Sequence, residues 1–160
     1  MASLKAVSIP GLILTLAISA QAQAGIQACF RFAAQRYDID TDLLQAITHV
    51  ESGGDPAAVN SNADGSRDIG LMQINTRWLE QLAGYGITRE DLAEPCTNIL
   101  VGAWVLAHNF TLYGDSWKAV GAYNAGTART EQAHRRRLAY ARKVFARQRI
   151  LEQDSIAQSD

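Results

Sequence analysis

Glu51 and Asp68 stand 17 residues apart, each in its own frame: His49-Val50-Glu51-Ser52-Gly53-Gly54, then Asp68-Ile69-Gly70-Leu71-Met72-Gln73-Ile74-Asn75. Two carboxyl groups facing one bond suit glycoside cleavage. One must keep its proton until the leaving oxygen takes it, while the other stays ionised to meet positive charge developing at the anomeric carbon. Setting one acid at the end of a helix and the other in a polar turn is a way to hold the pair in different protonation states. The blander alternatives are a water-facing glutamate in a last helical turn and an aspartate bonded to its own turn backbone.

The elements that would position these acids follow from the pattern around them. Ile26, Phe30, Ala33, Ala34 and Tyr37 recur at helical spacing. Asp38-Ile39-Asp40-Thr41 breaks that pattern and offers an N-cap to a second helix, whose apolar stripe is Leu43, Leu44, Ile47 and Val50 and which Gly53, Gly54 and Pro56 end. Glu51 then falls in the last turn near the buried face. There the negative end of the helix dipole and partial burial both raise a carboxyl pKa. Residues 55–69 are rich in Asn, Asp, Gly and Ser and read as turns, with a short hairpin around Asp64-Gly65. Past Gly70, Leu71 to Leu82 reads as helical, and Thr88-Arg89-Glu90-Asp91 as the capped opening of another helix. A mostly apolar helix is predicted from Asn98 to Tyr113, central to the core. Gly114-Asp115 stops it, Ser116 starts the next, and a last helix runs from about Thr130 to Ile150 before a polar tail at 151–160.

The chain as a whole narrows the setting. Lys5, the apolar run from Val7 to Ile18 and Ala22-Gln23-Ala24 have the form of a secretory signal over residues 1–24, cleaved before Gly25. The run is too short for a membrane anchor, which needs roughly 20 apolar residues, and no later segment spans a membrane. The remainder, 25–150 plus its tail, is one domain by length. Losing Lys5 takes the formal net charge from −1 to −2, yet residues 129–149 hold eight Arg or Lys against the single acid Glu131. A solvated basic helix face is the plain reading of that segment; an anionic partner is the other. Cys29 and Cys96 are the only two cysteines. In an exported protein an even, minimal count reads as one disulfide, worth about 4 kcal/mol for a loop of this length, with two free thiols as the alternative. Two cysteines and three scattered histidines make no metal site, and neither a phosphate or dinucleotide glycine loop nor a serine-histidine triad occurs. No cofactor is called for, and nucleic acid is not an expected partner.

Glu51-Ser52, Gly70-Leu71-Met72-Gln73 and Ala122-Tyr123-Asn124, in that order, with Tyr140 and Val144 in the last helix, resemble the motif series of the soluble lytic transglycosylase domain over residues 28–146. The resemblance implies a mainly α, lysozyme-like fold with a short β or turn excursion around 58–69. It also implies cleavage of the β-1,4 bond of peptidoglycan glycan strands in the periplasm. Glu51 would be the acid, then the base that closes a 1,6-anhydro ring. Ser52, Gly70, Met72, Gln73, Tyr123, Asn124 and Tyr140 would line or support the substrate site. Gly70 would allow close approach of the sugar, Tyr123 would bond or pack on Glu51, and Tyr140 would complete the pocket floor. The small size, leader and cysteine pair resemble exported members that accompany type III secretion, type IV secretion or conjugation, and pilus systems.

The segment from Asn62 to Trp78 is similar to the active-site strand region of animal-type lysozyme, the standard worked case of this chemistry. That likeness makes Asp68 a second catalytic candidate, where ordinary lytic transglycosylases have one carboxylate. Two rivals follow: a lysozyme-type hydrolase using Glu51 and Asp68, and a peptidoglycan-binding scaffold without activity.

Overall fold

The computed structural model describes the backbone of residues 11–157 and the side chains of residues 23–157. Six α-helices surround a small sheet among these residues: α1 (Gly11–Tyr37), α2 (Thr41–Ser52), α3 (Leu79–Leu82), α4 (Pro95–Tyr113), α5 (Trp117–Ala125) and α6 (Glu131–Ala157). Strands β1 (Val59–Ser61), β2 (Arg67–Ile69) and β3 (Ile74–Asn75) lie between α2 and α3 in an antiparallel sheet of order β1-β2-β3. Most of the expected leader, residues 1–10 and the side chains of 11–22, lies outside the described residues. None of the described helices is long and apolar enough to cross a membrane.

Helix α2 forms as its sequence pattern requires. The Asp40 carboxylate accepts from the N–H groups of Asp42 and Leu43 at 2.7 and 3.0 Å, filling two of the orphan donors of the first turn. Leu43, Leu44, Ala46 and Ile47 are buried. Gly53 ends the helix in the left-handed conformation, φ +67°, its N–H returning to the His49 carbonyl. Helix α4 is the centre of the molecule: Ile99, Ala103 and Leu106 are fully buried, and it packs on α1 and α5. Cys29 and Cys96 are joined, with Cα atoms 5.3 Å apart, tying α1 to the first turn of α4. Helix α6 closes the fold over α2 and α5.

Three sequence expectations are corrected. Leu71 to Leu82 is not one helix: it is a turn, strand β3, a 3₁₀ turn over Thr76–Trp78 and the short α3. The helical reading rested on local apolar spacing. Non-local bonds override it, because the buried Asn98 side chain accepts from the Met72 N–H at 2.8 Å and donates to the Ile69 and Leu92 carbonyls at 2.7 Å each. The Thr88-to-Asp91 cap opens only a single 3₁₀ turn, Asp91–Ala93. Pro95 forces Glu94 into an extended conformation and begins α4 afresh. The polar tail is helical as far as Ala157, since Leu151 packs against the core and carries α6 beyond Ile150.

Candidate active site

A cleft of about 850 Å³ runs between the sheet and the α4–α5 wall. Glu51 and Asp68 both line it, together with Gln73, Asn75, Trp78, Asn109, Tyr123, Asn124 and Arg136. The two acids singled out by spacing therefore face one space.

Glu51 reaches the cleft from the last turn of α2 and is half-buried. Its Oε1 accepts from the Tyr140 hydroxyl of α6 at 2.6 Å. Burial is the main influence on this carboxyl and pushes its pKa up from 4.5 to about 7; the Tyr140 bond pulls it down, and the negative charge of Asp68 adds to the rise. At neutral pH a large fraction of Glu51 thus keeps its proton. Tyr140 is buried and Tyr123 partly buried, and the pKa values of both phenols rise well above 10 through burial and the nearby Glu51 carboxylate, so both remain neutral donors.

Asp68 sits in the middle of β2, paired across the sheet with Asn60 and Asn75. Its Oδ2 accepts from Asn62 Nδ2 at 2.9 Å and its Oδ1 from Asn75 Nδ2 at 2.7 Å. Both oxygens are held by side-chain amides and not by the backbone of its own turn. The turn is closed by other atoms: Asp64 accepts from the Ser66 N–H at 2.9 Å, and Asn62 exchanges bonds with Gly65 and Ser66. Asp64-Gly65 forms the expected hairpin tip, with Gly65 at φ +83°.

The remaining candidates divide. Gln73 and Asn124 line the cleft, Asn124 exposed and Gln73 nearly buried. Gln73 adopts φ +48° and uses its amide on the loop: Nε2 donates to the Gly70 carbonyl at 2.8 Å and Oε1 accepts from Asn60 at 2.7 Å. Ser52 is structural, donating to the Leu71 carbonyl at 2.7 Å and accepting from the Gly54 N–H. Tyr123 does not bond Glu51; its hydroxyl donates to the Met72 carbonyl at 2.9 Å, pinning the cleft loop to α5. The bond to Glu51 comes from Tyr140 instead. Gly70 and Met72 do not line the cleft. Gly70, at φ +75°, leaves room for the Asn98 side chain, and Met72 is fully buried against Gly102 of α4. The motif that contains them folds inward to hold Gln73 in place.

The basic helix is not uniformly solvated either. Arg137 is buried and donates through Nη1 to the Gly126 and Ala128 carbonyls at 2.9 Å each, fastening the α5–α6 connection, while Arg136 faces the cleft. Sequence reading missed Asn62, Asn75, Asn98 and Asn109 as individual site residues. The first two lie within the stretch that resembles lysozyme, which was the available signal; the last two sit in an apolar helix with nothing local to mark them. Among the described residues no three His, Cys, Asp or Glu side chains converge as metal ligands.

Comparison with known proteins agrees with this fold. The transglycosylase SLT domain model matches residues 28–146. The chain belongs to that family. Its enzyme class is peptidoglycan lytic transglycosylase. It is 41% identical over 128 residues to Invasion protein IagB of Salmonella typhi, covering 79% of both chains. To the X polypeptide of Escherichia coli K12 it is 47% identical over 118 residues, covering 73% of this chain and 70% of the relative. Protein IpgF of Shigella flexneri is 41% identical over 120 residues, 74% of this chain and 78% of its own. Among solved structures, an inactive mutant of the lytic transglycosylase Slt from Pseudomonas aeruginosa matches with a TM-score of 0.64 and 23% identity. That match covers 81% of this chain and 24% of the larger one, and it speaks for the fold.

Proposed function

We propose that this transglycosylase cuts the β-1,4 bond between N-acetylmuramic acid and N-acetylglucosamine with Glu51 as its proton donor and acceptor. The observation that carries the reading is a half-buried carboxyl at the end of α2, raised to about 7, lining the cleft. Tyr140 occupies Oε1, so Oε2 carries the transferable proton. Glu51 gives that proton to the glycosidic oxygen as the C1–O4 bond breaks. The ionised Glu51 then takes the proton of the muramyl C6 hydroxyl while O6 bonds to C1, and the 1,6-anhydro ring closes without water. Asp68 lines the same cleft from the sheet, and ring closure does not require it as a second acid. Gln73, Tyr123 and Asn124 shape the site around the sugar.

A lysozyme-type hydrolysis is the second reading, favoured by one feature: Asp68 has both oxygens fixed by Asn62 and Asn75 in the same cleft as Glu51. Mass analysis of digested peptidoglycan separates the two. Anhydromuramyl ends support ring closure, and reducing ends that incorporate solvent oxygen defeat it.

Residues 1–24 act in this reading as a cleaved leader that delivers residues 25–150 and their C-terminal extension to the periplasm, where the glycan is. The biological purpose is local opening of the wall for a transenvelope secretion, conjugation or pilus apparatus. Support comes from the small size, the leader-like pattern of residues 1–24 and a relative named as an invasion protein.

A further inference from the structure

One face of α4 forms a wall of the cleft through Val105, His108, Asn109 and Leu112, at helical spacings of three and four. Asn109 differs from the others. It is only 4% exposed, and its Nδ2 has no hydrogen-bond partner. A buried donor left unpaired lowers stability relative to an apolar side chain of the same shape, and native proteins leave few such groups unsatisfied. By contrast, the other fully buried asparagine of this helix, Asn98, spends its Oδ1 and Nδ2 on three backbone groups. Asn109 makes no comparable structural use of its amide.

The neighbours of Asn109 indicate the acceptor it would meet. Val105 lies one turn before it and Leu112 one turn after, and Leu112 is 53% exposed although it lines the cleft. An amide donor between two branched alkyl groups matches an acetamido group, which offers a carbonyl oxygen and a methyl. We infer that Asn109 is a specificity residue that donates to the carbonyl of a sugar N-acetyl group, with Val105 and Leu112 packing on the methyl. As it stands Nδ2 is shut off from solvent, so donation to a sugar requires the amide to turn about its terminal torsion, which is broad for asparagine. The inference rests on the glycan-cleaving reading and adds to it the chemical feature of the sugar that the α4 wall recognises.

The test uses glycan strands in two forms, fully N-acetylated and chemically de-N-acetylated, with the full chain and its Asn109→Leu and Asn109→Ala variants. Cleavage rates give kcat and KM, and binding is measured separately in a Glu51→Gln background. The wild-type chain should prefer acetylated strands. Both variants should lose at least about tenfold in kcat/KM on acetylated strands, mainly through KM, and little on de-acetylated ones. Asn109→Leu should melt at the same temperature as wild type or higher. Retained preference for acetylated strands overturns the inference. So does an equal loss on both substrates, or an Asn109→Leu chain that melts lower, since each marks the amide as structural support. If the wild-type chain cleaves neither polymer, the transglycosylase reading fails, and the binding ratio still decides whether Asn109 reads an acetyl group.

Discussion

At the end of α2, Glu51 lies under a neighbouring helix and meets one phenol; in the hairpin, Asp68 has an amide on each oxygen and sits among strands two or three residues long. The helix end withholds water from a carboxyl, which disfavours its charge. The sheet supplies donors, which suit a carboxylate's lone pairs. Seventeen residues apart in the chain, two side chains that end in the same carboxyl group thus meet opposite surroundings. The difference suits the proposal of Glu51 for proton transfer and makes Asp68 the group on which the hydrolytic alternative depends.

The comparison breaks most visibly at Glu51. Replacing it with Gln should lower the release of soluble wall fragments by about 10²–10⁴-fold, read by mass spectrometry of digested peptidoglycan. Asp68→Asn sharpens the contrast between the two routes: any reducing-end product should fall by about 10²-fold or more, while anhydromuramyl product falls by less than about tenfold. Equal losses of both would make the two acids partners in one reaction.

Proton linkage gives a smaller effect with a definite sign. The folded chain holds the Glu51 proton up to about 7, whereas an unfolded one releases it near 4.5. Folding therefore takes up a proton between those values, and the contribution of this group is complete below 4.5 and lost as pH climbs towards 7. The loss is at most about 3 kcal/mol. Glu51→Gln should remove that dependence and be the more stable chain at pH 8, as checked by urea unfolding across pH. Activity of the wild-type enzyme should fall about tenfold for each unit above 7 as the acid form disappears. The smallest change is expected from Tyr140→Phe. The lost bond was lowering the Glu51 pKa, so the alkaline limb of the pH–rate profile should move up, by no more than about one unit.

The two regions also differed in how plainly the sequence announced them. Helix α2 was legible because its evidence is local: the Asp40 cap, the Leu43-Leu44-Ile47-Val50 stripe and the Gly53 stop all lie within a few residues of Glu51. The hairpin tip at Asp64-Gly65 was legible for the same reason, and the cysteine pairing because only one pair exists. Strand β3 was hidden, because Leu71, Met72 and Ile74 suit a helical window as well as a strand, and the path is set by Asn98 from 26 residues away. Tyr140 was found by motif order, but its bond to Glu51 spans 89 residues and leaves no trace in spacing. The inward turn of Gly70 and Met72 left no trace in the sequence, because a motif records which residues recur together and not which way they point.

Helix α6 carries a consequence for the order in which the enzyme becomes competent. Tyr140 and much of the cover over α2 belong to α6, which emerges long after α2 during synthesis. Until α6 docks, Glu51 lacks both the Tyr140 bond and the cover of that helix. The raised carboxyl that the proposed chemistry needs therefore depends on chain made well after it, and exists only once α6 is in place.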